Sequence, residues 1–132
     1  MDNFALLATI FYMLSGGLAV NILFNRAKPF YKWFIGSSLI ALTAHAMWLY
    51  ENIFLIDGQN LPMLNVVSLI GFVIALLSVL VSKSLNTGVL SPIVSGFNII
   101  NFIAVVYLPS HYITHLDKQP AIGSHIIFAL LA

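Results

Sequence analysis

Four histidines, His45, His111, His115 and His125, are the side chains in this sequence best suited to chemistry. Neutral imidazole is a good ligand for metals and for haem iron, and histidine is scarce inside membranes. Cysteine is absent, so the chain builds no thiolate metal site, forms no disulfide of its own and runs no thiol exchange. The sequence also carries no serine-nucleophile motif, phosphate-binding loop, carboxylate pair or zinc signature. The expectation is therefore a protein that is not an enzyme, with histidines that bind or pack.

Their surroundings divide the four. Ser38, Ala41 and Trp48 stand at i−7, i−4 and i+3 from His45, so its ring shares a helix face lined mostly by small residues. That face admits a neighbouring helix or a flat ligand, and the residue is either a hydrogen-bonded core histidine or a haem ligand. His125 follows Pro120 by five residues, about one and a half turns into the last apolar stretch, with Phe128, Ala129 and Ala132 beside it. An interfacial structural role and a cofactor ligand are both open there. His111 and His115 lie in a connection bracketed by Pro109 and Pro120. They would share a metal only if that connection were helical, and solvated loop histidines are the simpler reading.

The elements that must position these residues follow from composition. Of 132 residues 61% are apolar and only 7% charged, with a mean hydropathy of +1.02. A soluble domain carries roughly a quarter charged residues, so the missing charge implies a solvent that penalises it, the bilayer. The net charge of +1 gives no sign of a nucleic-acid partner. A helix needs about 20 apolar residues to span the hydrocarbon, and residues 3–24, 34–56, 62–82 and 90–108 meet that length. A fifth stretch, 122–132, would rise only about 16 Å against a core of about 30 Å. The predicted fold is all-α, a polytopic transmembrane bundle of four complete spans plus a truncated fifth, forming one membrane domain of a larger protein. The first stretch lacks a basic leader and a cleavage pattern, so it is expected to be a retained helix rather than a signal peptide.

Charge sets the expected orientation. Arg26, Lys28 and Lys32 fall between the first two spans and Lys83 between the third and fourth, while Asp2, Glu51, Asp57 and Asp117 fall at the opposite end with Lys118. The positive-inside rule then puts the basic loops in the cytoplasm, and the N-terminus with connections 57–61 and 109–121 outside. Tyr31 and Trp33 at the inner end of the second span, and Trp48 and Tyr50 towards its outer end, are expected to form interfacial belts. Asp57, Gly58, Gln59, Asn60 and Pro62 read as a short outer turn.

Polar residues inside the spans are expensive in lipid, so each is a packing device or a functional group. Asn65 and Ser68 share one face of the third span, and Ser91, Ser95 and Asn98 follow i, i+4, i+7 on the fourth. Asn21 and Asn101 are read the same way, as interhelical hydrogen-bonding groups worth about 0.6 kcal/mol each. Ser15, Gly16 and Gly17 suit a close backbone approach.

Several short runs carry a family resemblance. Gly58-Gln59-Asn60-Leu61, Leu64-Asn65-Val66, Ser68-Leu69, Ser91-Pro92-Ile93-Val94, Tyr112-Ile113-Thr114-His115-Leu116, His125-Ile126 and Ala129-Leu130 stand in one order. In that order and spacing the sequence resembles the cytochrome c assembly, haem-handling membrane family, and within it the YpjD-like branch. The likeness is continuous from about residue 58, whereas the first 57 residues agree mainly in helix topology and in His45-Ala46. The resemblance implies a bacterial inner membrane protein with more helices beyond Ala132, haem as cofactor, and apocytochrome c or other maturation proteins as partners beside the lipid. It also implies that His125, and less directly His45, correspond to histidines that serve as axial iron ligands. A tryptophan-rich outer loop that cradles the porphyrin in other members does not appear in these residues. Two alternatives stand beside haem handling: an accessory or regulatory membrane protein of haem metabolism that carries no haem, and a transporter subunit.

Overall fold

A computed structural model describes residues 3–25, 30–54, 58–82, 90–108, 110–115 and 120–131. Its elements are α1 (Asn3–Asn25), α2 (Tyr31–Leu49), β1 (Gln59–Asn60), α3 (Met63–Val81), α4 (Leu90–Tyr107), β2 (Ile113–Thr114) and α5 (Pro120–Leu131), with a π-helical turn over Tyr50–Phe54 prolonging α2. The basic residues Arg26, Lys28, Lys83 and Lys118, the acidic Asp2, Asp57 and Asp117, and Pro109 and Ala132 lie outside the described residues. The charge argument for orientation therefore rests, within the described residues, on the exposed Lys32 and Glu51.

The all-α membrane architecture stands. By length and composition α1, α3 and α4 can each cross a bilayer. The second expected span begins earlier than residue 34, running from Tyr31 through the π turn to Phe54, and residues 55 and 56 of the expected span lie outside the described residues. It is the most polar of the four, because Lys32, Ser37, Ser38, Thr43 and His45 dilute its hydropathy. Lipid rather than water explains how the helices choose their faces. On α1, Ala5, Ala8, Tyr12, Ser15 and Ala19 are buried at steps of three and four, while Leu6, Leu7, Ile10, Met13 and Leu14 are exposed. Bulky apolar side chains gain little by leaving hydrocarbon for a protein interior, so α1 buries small and polar residues that let backbones approach and hydroxyls pair.

The four long helices close into a ring in the order α2, α1, α4, α3, with each helix packed on its two neighbours. Paired contacts fix the directions. His45 meets Ser68 while Tyr31 meets Ser82, so α2 and α3 are antiparallel. Ser78 meets Ser91 while Asn98 reaches Gly71, so α3 and α4 are antiparallel as well. Gly71 has a reason to be glycine: a Cβ there would stand 2.5 Å from the Asn98 Oδ1. Gly16 likewise faces Ser95, as its small size suggested, whereas Gly17 has open space around it.

One end of the ring carries a feature the all-helical expectation lacked. β1 and β2 pair antiparallel, Gln59 opposite Thr114 and Asn60 opposite Ile113. Gly58 enters this pairing at φ +100°, in the left-handed region, with the Thr114 carbonyl 2.7 Å from where a Cβ would sit. The connection holding His111 and His115 is thus extended around β2, not helical. At about 3.3 Å per residue the two rings are too far apart to share one metal.

Candidate functional site

The core of the ring is polar at its centre. His45 is fully buried, and its two ring nitrogens meet hydroxyls from two other helices. Tyr12 Oη on α1 lies 2.9 Å from Nδ1, and Ser68 Oγ on α3 lies 3.0 Å from Nε2. In a neutral imidazole one nitrogen donates and the other accepts, so the two hydroxyls complement the ring in either tautomer. Helix periodicity places the ring here, since Ser38, Ala41, Leu42, His45 and Trp48 make up the buried face of α2. Aromatic edges wall it in: Phe102 at 4.7 Å, Phe72 at 5.4 Å and Tyr12 at 5.8 Å between ring centroids. Binding iron through His45 would require one of these hydrogen bonds to break and a porphyrin-sized gap to open where the aromatic rings stand.

Trp48 belongs to this cluster and not to an interfacial belt. It is 1% exposed and meets Phe102 edge-on at 5.4 Å, because three residues along a helix return it to the face of His45. Trp33 and Tyr50 do point outward, as the belt reading expects, and Tyr31 reaches Ser82 at 3.1 Å.

The serine and asparagine seam pairs helices as its spacing suggested. Ser15 meets Ser95 at 3.4 Å across α1 and α4, Ser78 meets Ser91 at 3.4 Å, and the Asn98 amide donates to the Gly71 carbonyl at 3.3 Å. Among the described residues two buried polar atoms, Asn98 Oδ1 and Asn101 Nδ2, find no partner.

At the sheet-capped end a second arrangement centres on Asn60, which is buried. Its Nδ2 donates to the Asn52 carbonyl at 3.3 Å and makes a longer contact, 3.5 Å, with His111 Nδ1. Its Oδ1 accepts from the Tyr112 amide at 3.0 Å, and its carbonyl accepts from Asn65 Nδ2 at 3.1 Å. Asn60 thereby ties the π turn, α3 and the β2 segment together around a cleft of about 230 Å³, lined by Trp48, Asn52, Asn65 and His111 among others. The sequence shows Asn60 as part of an outer turn and of the Gly58-Gln59-Asn60-Leu61 run, not as a hub of hydrogen bonds. Its partners His111 and Tyr112 lie 51 and 52 residues away, and no local pattern reports that.

His125 is exposed on α5, a helix that makes no extensive contact with the other described elements and also exposes Ile122, Ile127 and Phe128. Its imidazole is therefore accessible on an apolar surface. No described contact joins it to His45. Among the described residues no group of three or more histidines and carboxylates gathers into a metal site. α1, α3 and α4 run without interruption, unlike the broken helices of many transporter sites.

Comparison with known proteins adds one consistent likeness. The chain is 37% identical, over all of its length, to the inner membrane protein YpjD of Escherichia coli K12. It is similar to the same extent to the proteins of that name from E. coli O6:H1 strain CFT073 and E. coli O157:H7. The likeness runs through the first two helices, further than the motifs from residue 58 onward suggested. The chain spans about half, 51%, of the length of these curated relatives. No family model matches the chain, and no solved structure does.

Proposed function

We propose that the protein is a multi-pass inner membrane protein that holds haem at the outer face of the membrane, with His125 as an axial ligand. The observation that carries this reading is the contrast in availability: the His125 ring stands exposed on an uncovered apolar helix, whereas both nitrogens of His45 are already taken. The proposal accordingly gives no ligation to His45. In this reading the end carrying β1, β2 and the start of α5 faces outward, in keeping with the positive-inside rule. A haem lying against α5 would keep its ring beside Ile122 and Phe128, three residues to either side of His125, and turn its propionates to the aqueous side. Held there, it would be cargo for attachment to apocytochrome c, with maturation proteins as partners and no reaction catalysed by this chain.

The test is spectroscopic. Full-length protein purified in detergent after expression with haem should show a Soret band, and His125→Ala should lose most of it at unchanged yield. A colourless wild-type protein would reject the proposal.

A second reading is favoured by the saturation of His45, the one histidine in the bundle core. If the membrane-level histidines are structural, the protein is an accessory or regulatory component of haem metabolism that carries none. Deletion would then leave c-type cytochromes normal while haem-precursor pools change.

A further inference from the structure

The ring holds two cavities with polar side chains in their walls, and the imidazole of His45 stands between them. Towards the end opposite the sheet, a small cavity of about 20 Å³ has the hydroxyls of Tyr12, Ser15, Ser38, Ser78, Ser91 and Ser95 in its walls, among apolar residues such as Leu42 and Val94. A single water needs roughly 10–15 Å³ and two to four polar partners, and this cavity offers both. One turn beyond Ser78, the Tyr31 and Ser82 hydroxyls meet at 3.1 Å and carry the polar file towards that end of the bundle. Towards the sheet, the cleft of about 230 Å³ runs from exposed Ser110 and His111 down to Trp48 and Asn65. Those two residues lie three positions, about one turn, from His45 and Ser68 respectively.

From the serine-lined cavity to Ser68 the link is made of hydrogen bonds already formed, Tyr12 to His45 at 2.9 Å and His45 to Ser68 at 3.0 Å, and about one helical turn separates Ser68 from the floor of the cleft at Asn65. Tyr12 itself lines the small cavity. A further observation marks this level of the bundle as polar beyond what packing needs. Asn98 stands opposite Gly71, so Asn101, one turn on, comes level with Ser68, and both asparagines bury an unpartnered atom. Buried unpaired polar atoms are rare in native proteins and mark places where water or function intervenes.

We propose that the bridge of Tyr12, His45 and Ser68 carries protons between the serine-lined cavity and the sheet-side cleft, with His45 as the residue that relays them. Histidine suits the task because it accepts a proton at one ring nitrogen and releases another from the second. In one passage Tyr12 gives its hydroxyl proton to Nδ1, Nε2 gives its proton to Ser68 Oγ, and Ser68 releases its own hydroxyl proton towards the cleft. Tyr12 then recovers a proton from the serine cavity. Each group gives one proton and receives one, and the imidazole ends neutral in its other tautomer, ready to reset by reorientation or by the reverse hop. Chains of this kind, with histidine inside a helix bundle, are how membrane proteins move protons through a medium that excludes free ions. The relay is independent of haem and of His125.

Vesicles of phosphatidylethanolamine and phosphatidylglycerol, carrying the full-length protein and a trapped pH-sensitive dye, provide the test. A potassium gradient with valinomycin sets the potential, and the rate of internal pH change reports proton flux. The wild type should exceed protein-free vesicles, and Tyr12→Phe and Ser68→Ala should each lower the excess by about tenfold or more. Both substitutions remove a single hydroxyl and keep the packing, so a folded protein is available for measurement even where His45→Gln fails to fold. Ser124→Ala, on exposed α5, should conduct as the wild type does. A wild-type flux equal to that of protein-free vesicles would overturn the proposal, and so would Tyr12→Phe and Ser68→Ala variants that conduct as the wild type.

Discussion

His45 and His125 are the same side chain in opposite circumstances. The first is fully buried at the meeting of three helices and spends both nitrogens on hydroxyls. The second stands exposed on a helix that the rest of the described bundle does not cover. The comparison teaches that depth in the membrane does not by itself mark a ligand. A histidine whose lone pair and proton are both committed holds helices together or passes protons, and one left uncommitted on an apolar surface is free to bind.

Substitutions can break or sharpen this contrast. The largest effect is expected from His45→Ala, which opens a cavity among Tyr12, Phe72 and Phe102 and strands two hydroxyls. It should cost about 3 kcal/mol, read as a lowered midpoint in reversible unfolding from mixed micelles. Next comes Gly71→Val, whose Cβ would press on the Asn98 side chain. Overpacking of that kind costs about 2 kcal/mol, and the same unfolding assay would report it. Tyr12→Phe keeps the ring and removes one hydrogen bond, so about 1 kcal/mol or less is expected. His125→Ala should be the mildest, within about 0.5 kcal/mol, because the residue is exposed and no extensive packing covers its helix. Equal destabilisation by His45→Ala and His125→Ala would erase the distinction between the two regions.

Much of the packed region was legible in the sequence. Apolar length gave the helices, and the spacing of Ser91, Ser95 and Asn98 gave the seam that Ser15, Ser78 and Gly71 complete. The face of His45 was readable too, since Ser38, Ala41 and Trp48 recur at helical steps and are all buried. The partners of His45 were not. Tyr12 and Ser68 lie 33 and 23 residues away, and a tyrosine in an apolar helix looks the same whether it faces lipid or a histidine. Trp48 misled for a related reason: tryptophan near a helix end suits an interface, but periodicity put it in the core. The sheet-capped end was the least legible. Its order comes from Gln59 and Asn60 pairing with Ile113 and Thr114, a contact between two loops that no local hydrophobic period encodes.

Thermal unfolding of the full-length protein with and without added haem tests the division of roles most directly, because a ligand that binds only the folded state raises its stability. Haem should raise the midpoint of the wild type and of Ser68→Ala by similar amounts and leave His125→Ala unmoved. A His125→Ala protein stabilised by haem as much as the wild type, or a Ser68→Ala protein that no longer responds, would contradict it.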